Sequence, residues 1–179
     1  MNLLVEASSP TATTGTLTVG GKSYPCTLGR SGVIDADKKT EGDGKTPLGV
    51  YPLRALYYRA DRVEKPQTGL AAEVLAPDMG WCEDPSHPDY NKKIVLPHPA
   101  VHDHMTRADA LYDYTVIVGH NDDPPVPGKG SAIFIHLARP DFSPTAGCVG
   151  LKAEDMLEVL KNCNESSTIE IRLANGAVA

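Results

Sequence analysis

Among its 179 residues the chain has only two Phe and one Trp, and it has no cluster of basic residues. Few large aromatics and many turn formers disfavour a helical bundle. Lys and Arg pair only locally, as in Lys38-Lys39 and Lys92-Lys93, and the formal net charge is −6. A nucleic-acid partner, which needs a face of cations to neutralise phosphates, is therefore not expected. No basic amphipathic stretch marks a membrane-surface helix, and no membrane insertion is expected. The start, Met1–Pro10, carries Glu6 and lacks the basic n-region and long apolar h-region of a secretory signal. The four cysteines, Cys26, Cys82, Cys148 and Cys163, contain no CxxC pair. They are too sparse for a disulfide framework or a close-paired zinc site and read as individuals, with Cys26, Cys82 and Cys163 structural or incidental.

What is present is ordinary globular composition, 41% hydrophobic and 22% charged, with 16 Gly and 15 Pro. The length fits a single domain over residues 1–179, and the Gly and Pro content favours short elements joined by many turns. The expected class is mainly β with one or two helices. Thr14–Leu28 reads as a hairpin turning at Gly20-Gly21. Leu48–Tyr58 reads as a strand that Pro52 confines to an edge or bends. The Pro-rich centre, residues 59–113, reads as an insertion. Its part from Ala76 to Pro99, with Pro77, Pro85, Pro88, Pro97 and Pro99, is expected to be mostly loop. Tyr114–Gly119 and Ser131–Leu137 are apolar runs of strand length, with a loop over residues 121–130 between them. Lys152–Cys163 carries a helical stripe of Ala153, Met156, Leu157 and Leu160, and Thr168–Leu173 alternates as a half-buried closing strand.

The chemistry-bearing pair is His136, at the end of Ile133-Phe134-Ile135, and Cys148, twelve residues later in the loop Ser143-Pro144-Thr145-Ala146-Gly147. A strand end anchors a base rigidly. A loop with a glycine beside the thiol leaves backbone N–H groups free for a developing oxyanion, and an imidazole can take the thiol proton. Mutual attraction is expected to bring both pKa values toward neutral. A buried apolar Cys and a satisfied strand His would have the same spacing, so spacing alone does not decide.

Two blocks go further. Ile135-His136 followed by Thr145-Ala146-Gly147-Cys148-Val149, together with Gly44-Lys45-Thr46-Pro47-Leu48-Gly49-Val50-Tyr51 upstream, resembles the L,D-transpeptidases, the YkuD-type catalytic domains of bacterial cell walls. The resemblance implies a YkuD-like mixed β-sandwich or barrel and no cofactor. It also implies peptidoglycan stem peptides as partners of a monomer working in the periplasm, in cell-wall biogenesis and cell shape, and carbapenems as acylating agents. Cys148 would form a thioester acyl-enzyme and pass it to an amine. His136 would be the base, oriented by the Leu137 carbonyl, with backbone N–H groups around Ala146, Gly147 and Cys148 as the oxyanion hole and Thr145 near the substrate. Hydrolysis by the same fold, an L,D-carboxypeptidase activity, is the close alternative. Many relatives read Ser-His-Gly-Cys-x-Arg, whereas this chain has Ala146 in place of the second His and Gly150 in place of the Arg. Arg139 is the nearest replacement cation.

Other residues were weighed for the site. His98, His102 and His104 offer a zinc-hydrolase alternative, but Pro97 and Pro99 break the helix such a set would use, and no metal is expected. His120, at a strand end near His136, is a candidate site wall. Arg30 is a candidate carboxylate binder or an ion-pair partner of Asp35 or Asp37. Trp81 and Tyr90 would either cap the site as a lid or fill a satellite core, and the core is preferred.

Overall fold

Gly20 and Gly21 both take left-handed backbone (φ 58° and 76°), the conformation a two-residue hairpin turn requires. They join strand β2 (Thr14–Val19) to β3 (Lys22–Thr27) in register from Val19↔Lys22 to Thr14↔Thr27. The computed structural model describes residues 1–175. Its remaining strands are β1 (Leu3–Ala7), β4 (Val33–Asp35), β5 (Thr46–Tyr58), β6 (Ala72–Val74), β7 (Met79–Cys82), β8 (Lys93–Val95), β9 (His102–His104), β10 (Tyr114–Val118), β11 (Phe134–Leu137), β12 (Val149–Leu151) and β13 (Thr168–Leu173). Among the described residues there is a single α-helix, α1 (Ala153–Leu160), and one 3-10 turn at Ala36–Lys38. No helix among them is long and apolar enough to cross a membrane.

The main sheet runs β10-β11-β12-β3-β2-β1-β13-β5, and β5 pairs again with β10, so the hydrogen-bonded circuit closes into a barrel. The sheet is mixed: β1/β13 and β11/β12 are parallel pairs, and most others are antiparallel. Closure removes the exposed edges that short strands would otherwise present. Inward residues alternate along the strands, with Leu3, Val5 and Ala7 of β1, Leu17 and Val19 of β2, and Ile169 and Ile171 of β13 at most 3% exposed. One face of α1 adds Met156, Val159 and Leu160 to the same core. The stripe is therefore Met156-Val159-Leu160, at i, i+3 and i+4, and not the expected one through Ala153, which is exposed.

One expectation needs correction. Pro52 neither ends nor edges its strand. β5 is continuous, with β13 pairing its first half (Gly49–Pro52) and β10 its second (Leu53–Tyr58). Pro52 stands at the handover, beside a register shift, where a missing N–H costs least. The stretch Ala76–Pro99 is mostly turn and loop, as expected, but β7 and β8 within it pair with each other, and β7 pairs also with β9, so that β8-β7-β9 form a second antiparallel sheet with the prolines outside its strands. The N-terminal residues form β1 between β2 and β13. Trp81 packs in a satellite core with Met79, Met105, Tyr112 and Phe134, its ring edge-on to Phe134 at 5.2 Å.

Candidate active site

Parallel pairing of β11 and β12 opposes His136 to Gly150 and Ile135 to Val149, and so brings the residue before β12, Cys148, back to the strand that carries His136. The loop that makes this return is tied down at Thr145. Its N–H donates to the Leu28 carbonyl (2.9 Å), its carbonyl accepts from Arg30 N–H (2.8 Å), and its hydroxyl donates to the Cys148 carbonyl (2.7 Å) while accepting the Gly147 N–H (3.1 Å). Gly147 has φ +139°, and a Cβ there would stand 2.9 Å from the Lys45 carbonyl oxygen. Only glycine fits that turn without strain.

The thiol is buried at 7% exposure, not displayed on a loop as expected. Cys148 Sγ donates to the Ala132 carbonyl (3.2 Å) and accepts Phe134 N–H (3.3 Å); its hydrogen bonds do not include the imidazole. Ala132 has φ 54°, unusual for a residue with a side chain, and is held there by Asn91, whose Oδ1 accepts both Ala132 N–H and Trp81 Nε1–H at 3.0 Å. The same Asn91 amide donates to the His120 and Asn121 carbonyls, so all its polar atoms are engaged.

His136 Nδ1 lies 2.8 Å from the Leu137 carbonyl oxygen. A carbonyl only accepts, so Nδ1 carries the proton and Nε2 keeps its lone pair, the tautomer a base needs. Burial lowers the His136 pKa to about 4, against the bond to Leu137, and burial raises the Cys148 thiol to about 12, against the Phe134 N–H. The pair is neutral at pH 7. Burial thus outweighs the mutual attraction that was expected to bring both groups toward neutral.

Buried neutral imidazoles make the fold acid-labile. His120 is also lowered to about 4, chiefly by burial and then by Lys39. An unfolded imidazole titrates near 6.5, so between pH 6.5 and about 4 the unfolded chain binds protons that the folded one refuses. Each His then costs roughly 1.4 kcal/mol per pH unit over that window, and neither costs anything above it. Glu83, which burial raises to about 7, titrates with the opposite sign over the same window and offsets part of this loss. Replacing His120 by Leu is therefore expected to shrink the fall in denaturant midpoint between pH 7 and pH 4.5 by the share of one imidazole; an unchanged fall would contradict this.

Cys148 and His136 share a cavity of about 330 Å³. Its lining includes Arg30 and Arg139, both exposed and neither in an ion pair among the described residues; Asp35 pairs with Lys38 instead (2.9 Å). Gly150 is closed to any side chain, because a Cβ there would stand 2.1 Å from Thr27 Oγ1. The lining also includes Glu83, which burial and then Asp103 and Glu41 raise to about 7, together with Asp103 and Tyr112. These three come from the Pro-rich centre and carry no sequence signal, since no motif or period singles them out.

Ala146 is exposed at this cavity, and among the described residues neither its N–H nor that of Cys148 has an acceptor, whereas Gly147 N–H is occupied by Thr145. Two of the three amides are therefore open to an oxyanion. Thr145 lines the cavity, and its hydroxyl holds the turn by donating to the Cys148 carbonyl and accepting the Gly147 N–H. His120 is not brought to this cavity: it is buried, edge-on to Tyr51 at 5.3 Å, with Nδ1 unpartnered. Nor do His98, His102 and His104 converge. His98 meets His87 and Asp89 instead, and its Nδ1 and that of His87 both accept backbone N–H groups. A metal-bound imidazole donates from its second nitrogen, so this arrangement opposes the zinc reading.

The chain resembles a solved structure of L,D-transpeptidase 1 from Mycobacterium tuberculosis, with 16% identity and a TM-score of 0.39 over 96% of this chain and 62% of that one. It thus spans less than two thirds of that protein's length. No curated protein matches it. The model of the YkuD family, the L,D-transpeptidase catalytic domain, matches residues 5–171. With that match over nearly the whole barrel, the chain belongs to the YkuD family of L,D-transpeptidase catalytic domains.

Proposed function

We propose that this protein is a peptidoglycan L,D-transpeptidase acting outside the cytoplasmic membrane, with Cys148 as nucleophile and His136 as base. The observation that carries the reading is a thiol and an Nδ1-protonated imidazole in one cavity, beside two unoccupied backbone N–H groups. Sγ attacks a stem-peptide carbonyl and its proton passes to Nε2. The oxyanion is met by the Ala146 and Cys148 N–H groups. The C–N bond breaks, the leaving amine takes the proton from His136, and a thioester remains. An acceptor amine then attacks the thioester, its proton goes to Nε2, the C–S bond breaks, and the thiol is restored as the new amide forms. Arg30 and Arg139 supply positive charge for a substrate carboxylate.

Intact mass after incubation with a carbapenem tests the nucleophile. The wild type is expected to gain one adduct and Cys148→Ala none. An adduct on Cys148→Ala, or none on the wild type, would refute the assignment. Product analysis with disaccharide peptides then separates cross-linking from hydrolytic trimming.

A further inference from the structure

Tyr112 bridges the second sheet and the barrel. Its hydroxyl donates to Asp103 Oδ2 on β9. Its ring lies edge-on to His136, with centroids 5.5 Å apart and planes at 66°. The Arg107 guanidinium, held by both carboxylate oxygens of Asp109 at 2.8 and 2.7 Å, stands 5.3 Å from the centroid of the same ring. The backbone closes on the same point: Leu111 O accepts Leu137 N–H (2.9 Å), and Leu137 O in turn accepts a hydrogen bond from His136 Nδ1–H.

One hydrogen bond fixes the imidazole's tautomer but leaves the ring free to tilt about it. The Tyr112 ring is the aromatic contact that resists the tilt, and it is itself pinned at its far end by Asp103. Asn91 works in the same direction on the other partner, holding through its N–H the Ala132 residue whose carbonyl accepts the thiol hydrogen bond. Sub-ångström placement of a base matters, since a displacement of about 1 Å can cost on the order of a hundredfold in rate.

We propose that Asp103 and Tyr112 form a positioning pair for His136, through which the second sheet sets the rate of acyl transfer and not the affinity for substrate. The inference rests on the proposed roles of Cys148 and His136. Both residues also line the cavity, so direct substrate contact is the competing explanation, and the two differ in which kinetic constant moves.

The test follows carbapenem acylation of Cys148 by intact mass over a range of carbapenem concentrations, in the wild type, Tyr112→Phe, Asp103→Ala, Asp103→Asn and the double variant Tyr112→Phe/Asp103→Ala. Tyr112→Phe and Asp103→Ala are each expected to slow the limiting rate on the order of tenfold, with half-saturation changed by less than about twofold. The double variant is expected to be no slower than Asp103→Ala, because both changes break one contact. Asp103→Asn keeps an oxygen that accepts the phenol proton and should stay within about threefold of wild type. Without substrate, the 15N signals of His136 should show the Nδ1-protonated tautomer, set by Leu137, in both the wild type and Asp103→Ala, with the Nδ1–H exchanging faster with solvent in Asp103→Ala. A raised half-saturation at an unchanged limiting rate, additive losses, or Asp103→Asn as slow as Asp103→Ala would overturn the proposal. If the wild type is not acylated at Cys148, the functional reading fails and takes this inference with it. If the wild type is acylated and Tyr112→Phe reacts at the same rate, only the inference fails.

Discussion

Replacing His136 by Gln is expected to slow carbapenem acylation of Cys148 by about two to four orders of magnitude, the usual worth of a positioned base. The reason lies in the neutral resting pair. With the thiol raised to about 12 by burial, almost no thiolate exists at pH 7, so attack requires the proton to leave during the step. Neutral His136 accepts it. Because burial lowers that imidazole to about 4, the wild-type rate should hold nearly level from pH 8 down to pH 5 and fall only as pH drops through about 4, where His136 protonates. In His136→Gln the residual rate should instead climb about tenfold per pH unit, following the thiolate fraction. A pre-formed thiolate–imidazolium pair would behave differently, losing rate near pH 6 and tolerating loss of the base. Acylation by His136→Gln within a few-fold of wild type would sink the neutral-pair mechanism.

The second large effect is expected at Gly150, where many relatives carry an arginine. Gly150→Ala should destabilise the protein by about 3 kcal/mol, and Gly150→Arg should not fold, because the new Cβ meets Thr27 Oγ1 at 2.1 Å with Ala138 at 3.4 Å behind it. Thr27 sits directly opposite on β3 and is fully buried. Its hydroxyl has no hydrogen-bond partner, so removing it leaves no group orphaned. Thr27→Ala alone should cost about 1 kcal/mol, and in that background Gly150→Ala should cost less than about 1 kcal/mol. Chemical denaturation of the four proteins measures the coupling. An equal cost of Gly150→Ala in both backgrounds would show that Thr27 is not what closes the position. The departure from the commoner pattern is thus enforced by the neighbouring strand. Of the four cations lining the cavity, Lys39 and Arg107 are paired with Asp43 and Asp109, whereas Arg30 and Arg139 are in no ion pair among the described residues.

Local patterns carried the elements whose reasons are local. Gly20-Gly21 specifies a hairpin because two consecutive left-handed residues are cheap only for glycine, and Thr168–Leu173 alternates because one face of β13 is in the core. The motif residues placed Cys148 and His136, and the family model over residues 5–171 agrees with that resemblance. The second sheet was hidden because its strands are three or four residues long, and β7 is buried throughout, so no period shows. Pro52 misled because a proline's cost depends on which partner strand faces its missing N–H, and that is set by β10 and β13, more than fifty residues away.

The sequence by itself determined that a thiol and an imidazole in this family's motif are present, on a β-rich chain with a formal net charge of −6. Only the tertiary structure decided their state and surroundings. The protonation of Cys148 and His136 follows from burial, which belongs to the assembled barrel and not to either residue. Gly150 is closed by a side chain from another strand, Thr145 spends its hydroxyl on its own loop, and His120 turns away to Tyr51. Asp103, Tyr112 and Asn91 reach the reacting pair through contacts between residues distant in the chain. A one-dimensional pattern does not record such contacts, because they form only when the second sheet packs against β11.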